Sequence, residues 1–269
     1  SYSVTGVQTC ALPIYADQYY CPKFMILPES VKHGLKINVP ILELNVNARK
    51  MKGIEGAIEL GKLLGFSQEE AGKAWYFAYQ KFKAFKEKAQ KGDYIQLIDK
   101  LDSDSKHARK EKIIKQSVSS ELRGKYTLNI FVIGHPYNVY ENWINMDLLT
   151  RLKAMDANVL TIERLDEKVF DKPVVVNKQY HNYWVHEEEI MQAARYYLKS
   201  EEETVDGVIF LISFACGPDS LIQELVMRDM KKRQIPFLAL VLDEHSGEGG
   251  MVTRIESFVD MIRRTKYNL

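Results

Sequence analysis

The sequence is short of several things, and each shortage removes a class of answer. It has 3 cysteines in 269 residues, an odd number and too few for the disulfide framework of a small secreted domain. The expectation is a reducing cytoplasm in which Cys10, Cys21 and Cys216 are core, reactive or ligand thiols. No Cys-x-x-Cys or His-x3-His spacing occurs, which argues against a zinc site. Net charge is also lacking: 37 basic side chains against 36 acidic ones leave +1, no long-range field for a polyanion, and no nucleic-acid partner is expected. No apolar run approaches the ~18 to 20 residues of a bilayer-spanning helix, so no membrane partner is expected either. Neither G-x-G-x-x-G nor G-x-x-x-x-G-K-S/T stands in a strand-to-helix context, which leaves a nucleotide site unsupported. What remains, 46% hydrophobic and 27% charged residues, suits a soluble globular protein of one or two domains.

The first stretch, SYSVTGVQTCALPI, carries no charge and no helical or strand period, and it lacks the basic start and long apolar core of a signal peptide. It resembles the translated read-through of a sequencing adapter. Residues 1–15 are therefore expected to be an artefact or a disordered tail, Cys10 to carry no function, and the natural chain to continue upstream. Residues 16–50 read as the remnant of an N-terminal domain, with an extended loop at Cys21-Pro22 and a short strand at 41–47.

Residues 51–98 read as helical. Ile54, Ile58, Leu60 and Leu63 mark one helix that stops near Gly65, and Ser67 with Glu70 forms a capping box for the next. Ala71, Trp75, Ala78, Phe82 and Phe85 recur at spacings of four and three, a continuous apolar face expected to pack in the core. Residues 99–125 are charged and serine-rich, and are taken as a linker and domain boundary.

From 126 to 269 strands and helices alternate, the pattern of an open parallel sheet. Strands are expected at 128–134, 158–163, 205–214 and 236–242, with helices from about 145, at 187–198, 218–232 and 250–264. The fold class is α/β: a flavodoxin-like or Rossmann-like three-layer domain behind a mainly helical region.

Ligands of such sheets bind beyond the carboxyl ends of the strands, so the loops GHPYNVY (134–140), ACGPDS (215–220) and DEHSGEGG (243–250) are the places to look. Cys216 lies between a strand and a helix whose first turn holds Gly217, Pro218 and Asp219. Unpaired N–H groups and the helix dipole there favour a thiolate or an anionic metal-sulfur cluster, and the glycine leaves room for a bulky group. A buried structural cysteine fits the same pattern equally well. His135, Asp243, Glu244, His245 and Glu248 reach the same sheet edge, as acid-base or ligand candidates or as simple loop caps.

Four strings in these loops carry a resemblance: CPKF at 21–24, VIGHPYNVYENWINMDLL at 132–149, FACGPDSLIQEL at 214–225 and PFLALVLDEHSGEGGMVTRIESFVDM at 236–261. The chain resembles the acyl-CoA dehydratase activase-related proteins, relatives of the D-component of 2-hydroxyacyl-CoA dehydratases. That resemblance implies an oxygen-sensitive 4Fe-4S protein of anaerobic metabolism, acting on acyl-CoA thioesters as an electron-transfer or dehydratase-like lyase component. Its partners would be an ATP-dependent activase and a second dehydratase-like subunit. By the same resemblance Cys21 and Cys216 are metal ligands, and Gly217, Asp219 and Ser220 adjoin the cofactor. A third ligand belongs to an upstream domain, so incomplete cluster loading is expected of this chain. A non-catalytic activase partner, or a small-molecule-binding α/β module with structural cysteines, is the alternative.

Overall fold

A computed structural model of the chain describes residues 26–35, 39, 41–42, 53–91, 127–170, 184–200 and 204–268. The tail at 1–15, Cys10, Cys21, most of the expected strand at 41–47 and the linker at 99–125 lie outside the described residues. Two compact units divide the chain, one of residues 1–84 with 173–188 and the other of 85–172 with 189–269.

The first unit is mainly helical where it is described. Helix α1, Leu27–Gly34, opens with proline in its first turn, where a missing N–H costs nothing. Helices α2, Gly53–Leu63, and α3, Gln68–Gln90, follow, with α3 counted in the second unit from Phe85 onward. The turn between them uses Gly65 at φ 84, a conformation that a side chain would strain. The capping box is formed: the Ser67 N–H donates to Glu70 Oε2 at 2.9 Å and the Glu70 N–H to Ser67 Oγ at 3.3 Å. The Ser67 hydroxyl, which also donates to that carboxylate, is the main reason the Glu70 pKa is lowered. The expected core face of α3 is corrected in its middle. Ala71 is buried and Trp75 and Phe85 are half-buried, but Ala78 is exposed and Phe82 is 53% exposed.

The second unit is built on strands β1 (Leu128–Gly134), β2 (Ala157–Leu160), β3 (Gly207–Ser213) and β4 (Phe237–Leu242). All pairings are parallel and the order is β2-β1-β3-β4. β1 and β3 are central and buried on both faces, which is why LNIFVIG and GVIFLIS are nearly continuous apolar runs. Alternate residues split the core in two. Leu128, Ile130, Val132, Ile209 and Leu211 pack with Leu148 and Leu152 of α6 (Leu148–Ala154) and with Ile255, Val259 and Ile262 of α9 (Glu248–Tyr267). Phe131 points the other way, its ring 4.6 Å from Tyr197 of α7 (Val185–Lys199), and Ile222, Val226 and Met230 of α8 (Gly217–Lys232) stand outside the first cluster. Each fully buried Leu, Ile or Phe contributes about 1.5–3 kcal/mol of transfer free energy.

Two expectations change here. The second strand ends at Leu160 rather than at 163, because β1 pairs with it only from Leu128 to Phe131; beyond that partner the chain turns into a 3-10 segment, Ile162–Arg164. The helix expected from about Asn145 is three short ones: α4 (Pro136–Tyr140), α5 (Asn142–Asn145) and α6. Met146 and Asp147 break it with φ 54 and 62, and Asn145 braces the break, donating from Nδ2 to the Val139 carbonyl at 2.7 Å and accepting the Leu148 N–H at 3.1 Å. Among the described residues β4 is an outer strand, and Arg254 of α9 donates to its Ala239 carbonyl at 2.6 Å.

Candidate functional site

The strand order sets the site. β1 connects onward toward β2 on one side and β3 toward β4 on the other, so the loops leaving β1 and β3 diverge and open a crevice at their carboxyl ends. Gly134 closes β1 at φ 151, where a Cβ would stand 2.5 Å from the Leu211 carbonyl oxygen of β3. This close approach brings the next residue, His135, beside the β3 loop. That loop turns tightly: Ala215 takes φ 60, and the Cys216 N–H bonds back to the Ser213 carbonyl at 3.0 Å.

Cys216 is the N-cap residue of α8, yet its side chain caps nothing; its carbonyl accepts both the N–H and the hydroxyl of Ser220, at 3.1 and 2.7 Å. The thiol is thus free for other chemistry, and no atom lies within 4 Å of the space a Cβ would fill on Gly217. Asp219, in the first turn, is fully buried, and its Oδ1 lies 3.3 Å from His135 Nε2. Donor atoms of His135, Cys216 and Asp219 all fall within 4.8 Å of one another. His135 itself caps α4, its carbonyl accepting the N–H groups of Asn138 and Val139, and its ring stacks on Tyr137 at 5.2 Å.

Tyr137 and Asn138 turn from this buried group toward a cleft of about 520 Å³ at the ends of β1, β3 and β4. Ser213 Oγ reaches Asn138 Oδ1 at 3.1 Å and the Tyr137 hydroxyl at 3.4 Å. Burial pushes the Tyr137 phenol above its ordinary range, while His135 and the Ser213 bond oppose that rise. The cleft wall holds Glu141, Asp147, Asp243, Glu244 and Glu248, and no lysine or arginine among the described residues that line it. Arg151 stands behind Glu248, in an ion pair with it. On the outer side of α4, burial raises the Glu163 pKa, against the opposing hydrogen bond from the Tyr140 hydroxyl.

The β4 loop is organised differently. Asp243 Oδ1 accepts the His245 N–H and the Ser246 hydroxyl, both at 2.9 Å, and Ser246 Oγ in turn accepts the Asp243 N–H. The Ser246 hydroxyl is the main cause of a lowered Asp243 pKa. Glu244 and His245 are exposed, 3.7 Å apart, and His245 is not part of the cleft wall.

Of the residues singled out in the sequence, His135, Cys216 and Asp219 therefore meet in one buried group. Asp243, Glu244 and Glu248 line the neighbouring cleft, Ser220 caps its own helix, and Cys21 lies outside the described residues. Tyr137, Asn138 and Ser213 were not singled out. Their signal was the GHPYNVY string and the polar end of an apolar strand, neither of which specifies a role by itself.

A four-stranded parallel sheet with helices packed around it, and sulfur, nitrogen and oxygen donors gathered at its switch point, defines the class: an α/β protein of the flavodoxin-like or Rossmann-like kind. The chain belongs to the 2-hydroxyglutaryl-CoA dehydratase D-component family, whose model matches residues 94–262. The model of the CoA enzyme activase uncharacterised domain, DUF2229, matches residues 11–165. No curated protein matches the chain.

Proposed function

We propose that the protein is an iron-sulfur component of a 2-hydroxyacyl-CoA dehydratase-like system, receiving an electron from an ATP-dependent activase in an anaerobic cytoplasm. The observation that carries this is the position of Cys216: a thiol at the head of α8, at the switch point of a domain of the D-component family. The residues present fit one corner of a 4Fe-4S cluster. The dipole of a 16-residue helix favours the anionic thiolate, Gly217 leaves open space beside it, and iron-sulfur centres accept imidazole as well as thiolate ligands. Cys216 would hold the cluster, with Cys21 as a second ligand and Gly217, Asp219 and Ser220 alongside. Bound there, the cluster would supply one-electron transfer and a Lewis-acidic iron. Tyr137 and Asn138 then stand between the cluster and the cleft, where they would orient a thioester carbonyl. A second dehydratase-like subunit is a further partner in this reading.

Anaerobic reconstitution of the full natural chain with iron and sulfide tests it. Broad absorbance near ~400 nm and about four irons per protein are expected, both lost in the Cys21→Ser, Cys216→Ser double variant. A colourless, iron-free product overturns the reading.

The cleft favours a second reading. Five carboxylates line it, and their field repels the phosphates of coenzyme A. A non-catalytic activase partner needs no such phosphates. Activase binding that survives loss of both cysteines, with no acyl-CoA turnover, would support this second reading over the first.

A further inference from the structure

We infer that the cleft beside Tyr137 and Asn138 selects its ligand by charge, taking an acyl thioester whose far end carries an organic cation of the ammonium class. The thioester carbonyl sits on the Asn138 side-chain amide, and the cation against Trp143 and the carboxylates. The inference rests on the reading above that this cleft is the substrate side of the site, and it names the substrate class. It does not require the cluster to be present.

Several of the carboxylates are accounted for by their own surroundings. Glu141 accepts the Trp143 N–H at 3.3 Å, Asp243 closes its own turn, and Glu248 pairs with Arg151. The residue that points to a ligand is Asn138. Its side chain is fully buried at the cleft wall, and its Oδ1 accepts the Ser213 hydroxyl at 3.1 Å. Its Nδ2 takes no hydrogen-bond partner among the described residues. A buried amide donor left unpaired bears the full desolvation cost of that group. A ligand oxygen entering from the cleft removes that cost, and a donor calls for an acceptor: a carbonyl such as that of a thioester.

Two further features set the charge of the rest of the ligand. Five carboxylates line the cleft with no lysine or arginine among the described residues of its wall, and Arg151, behind that wall, offsets only one of them. An acyl chain ending in a carboxylate is repelled there and one ending in a cation is attracted, at a range that salt screens incompletely. Trp143, on the same wall, is 89% exposed. An indole face attracts ammonium groups, and more strongly once water is displaced from between them. Ile144, Met146 and Leu242 add apolar surface for a hydrocarbon chain. The cleft's volume of about 520 Å³ falls within the ~300–1,000 Å³ of small-molecule sites, which favours a small ligand over a protein segment.

The probes are N-acetylcysteamine thioesters, which carry none of the phosphates of coenzyme A. Their acyl groups are matched in length: a hexanoyl chain ending in trimethylammonium, its neutral isostere ending in tert-butyl, and heptanedioyl, which ends in a carboxylate. Titration calorimetry on the full chain at ~0.05 M salt should show the cation binding more than about tenfold tighter than the isostere, and the carboxylate weakest. The cation's advantage should shrink at ~0.5 M salt. A thioether analogue of the cation, lacking the carbonyl, should bind more than about tenfold more weakly than the thioester. Asn138→Leu should bring the thioester down to the thioether's affinity. Trp143→Leu should weaken the cation by about threefold or more and leave the isostere unchanged. Asp260→Asn, on the exposed side of α9, should alter neither. Should Asn138→Leu not fold, the thioester and thioether compared on wild type decide the role of the amide. Equal affinity for cation and isostere, equal affinity for thioester and thioether, or no binding of any probe overturns the inference. The two readings fail separately. Iron-sulfur loading without a preference for the cation overturns this inference and keeps the cluster; the preference without iron-sulfur loading does the reverse.

Discussion

The loops after β3 and after β4 end neighbouring parallel strands, and both carry an aspartate within a few residues of the sheet. Their charges have opposite fates. Asp219 is enclosed with a thiol and an imidazole and takes no hydrogen bond among the described residues. Asp243 is at the surface, where it accepts a hydroxyl and a backbone N–H and closes its own turn. The contrast teaches that an acidic group at a strand end is informative only when its own loop leaves it unsatisfied. DEHSGE is a self-sufficient turn, whereas in ACGPDS the serine bonds within its own loop and the aspartate takes no hydrogen bond from it.

That contrast can be attacked from four directions. The largest effect should come from below the β3 loop. Gly134→Ala sets a Cβ 2.5 Å from the Leu211 carbonyl and should cost about 1–3 kcal/mol, seen as a lower urea midpoint. Gly217→Ala, with nothing within 4 Å, should barely move it. An equal loss in both would deny that close packing at Gly134 sets the loop. Next comes Ser246→Ala, which removes a hydroxyl that both donates to and accepts from Asp243 and should lower the urea midpoint by less than Gly134→Ala does. No loss in urea unfolding would mean that the β4 turn does not hold itself. Ala215→Gly relieves a left-handed alanine by roughly 1 kcal/mol, set against the larger unfolded-state entropy of glycine at ~0.4–1 kcal/mol. A small net gain is expected, and a loss above ~1 kcal/mol would show that Ala215 makes contacts that outweigh its strain.

The smallest effect is a pH dependence. Asp243 has a lowered folded pKa, chiefly through the Ser246 hydroxyl, so its stabilisation is present above the ordinary aspartate value of about 3.9 and fades as pH falls through the folded value. Melting curves of wild type and Asp243→Asn should therefore differ at neutral pH and converge in acid. Curves that diverge on acidification would reverse the assigned sign.

Much of this was legible in the sequence. The β1 and β3 segments were visible because strands buried on both faces must be continuously apolar, and α8 because Pro218 and Asp219 mark a helix start. The segment after β1 was not: the left-handed pair Met146 and Asp147 has no glycine to announce it, and the bracing by Asn145 is a contact rather than a pattern. β2 was overextended because its end depends on where its partner stops, which local propensity does not record. The periodicity of α3 was real, but it specifies a face and not what covers it. For the site, the sequence supplied His135, Cys216 and Asp219 as separate candidates, and the strand order made them neighbours. Tyr137 was missed because an aromatic beside a proline reads as packing until it is seen to line the cleft, with its hydroxyl beside Ser213.

The bond from Arg254 to the Ala239 carbonyl bears on how the protein behaves in a crowd. A parallel sheet that ends on an outer strand presents a ready ladder of peptide groups, and Val241 on that strand is 46% exposed. Any fifth strand arriving there, from a neighbouring molecule or a growing aggregate, must first displace a guanidinium from the rung it occupies. One long side chain, reaching out from α9, makes β4 a poor template for self-association while leaving the cleft at the carboxyl ends of the strands untouched.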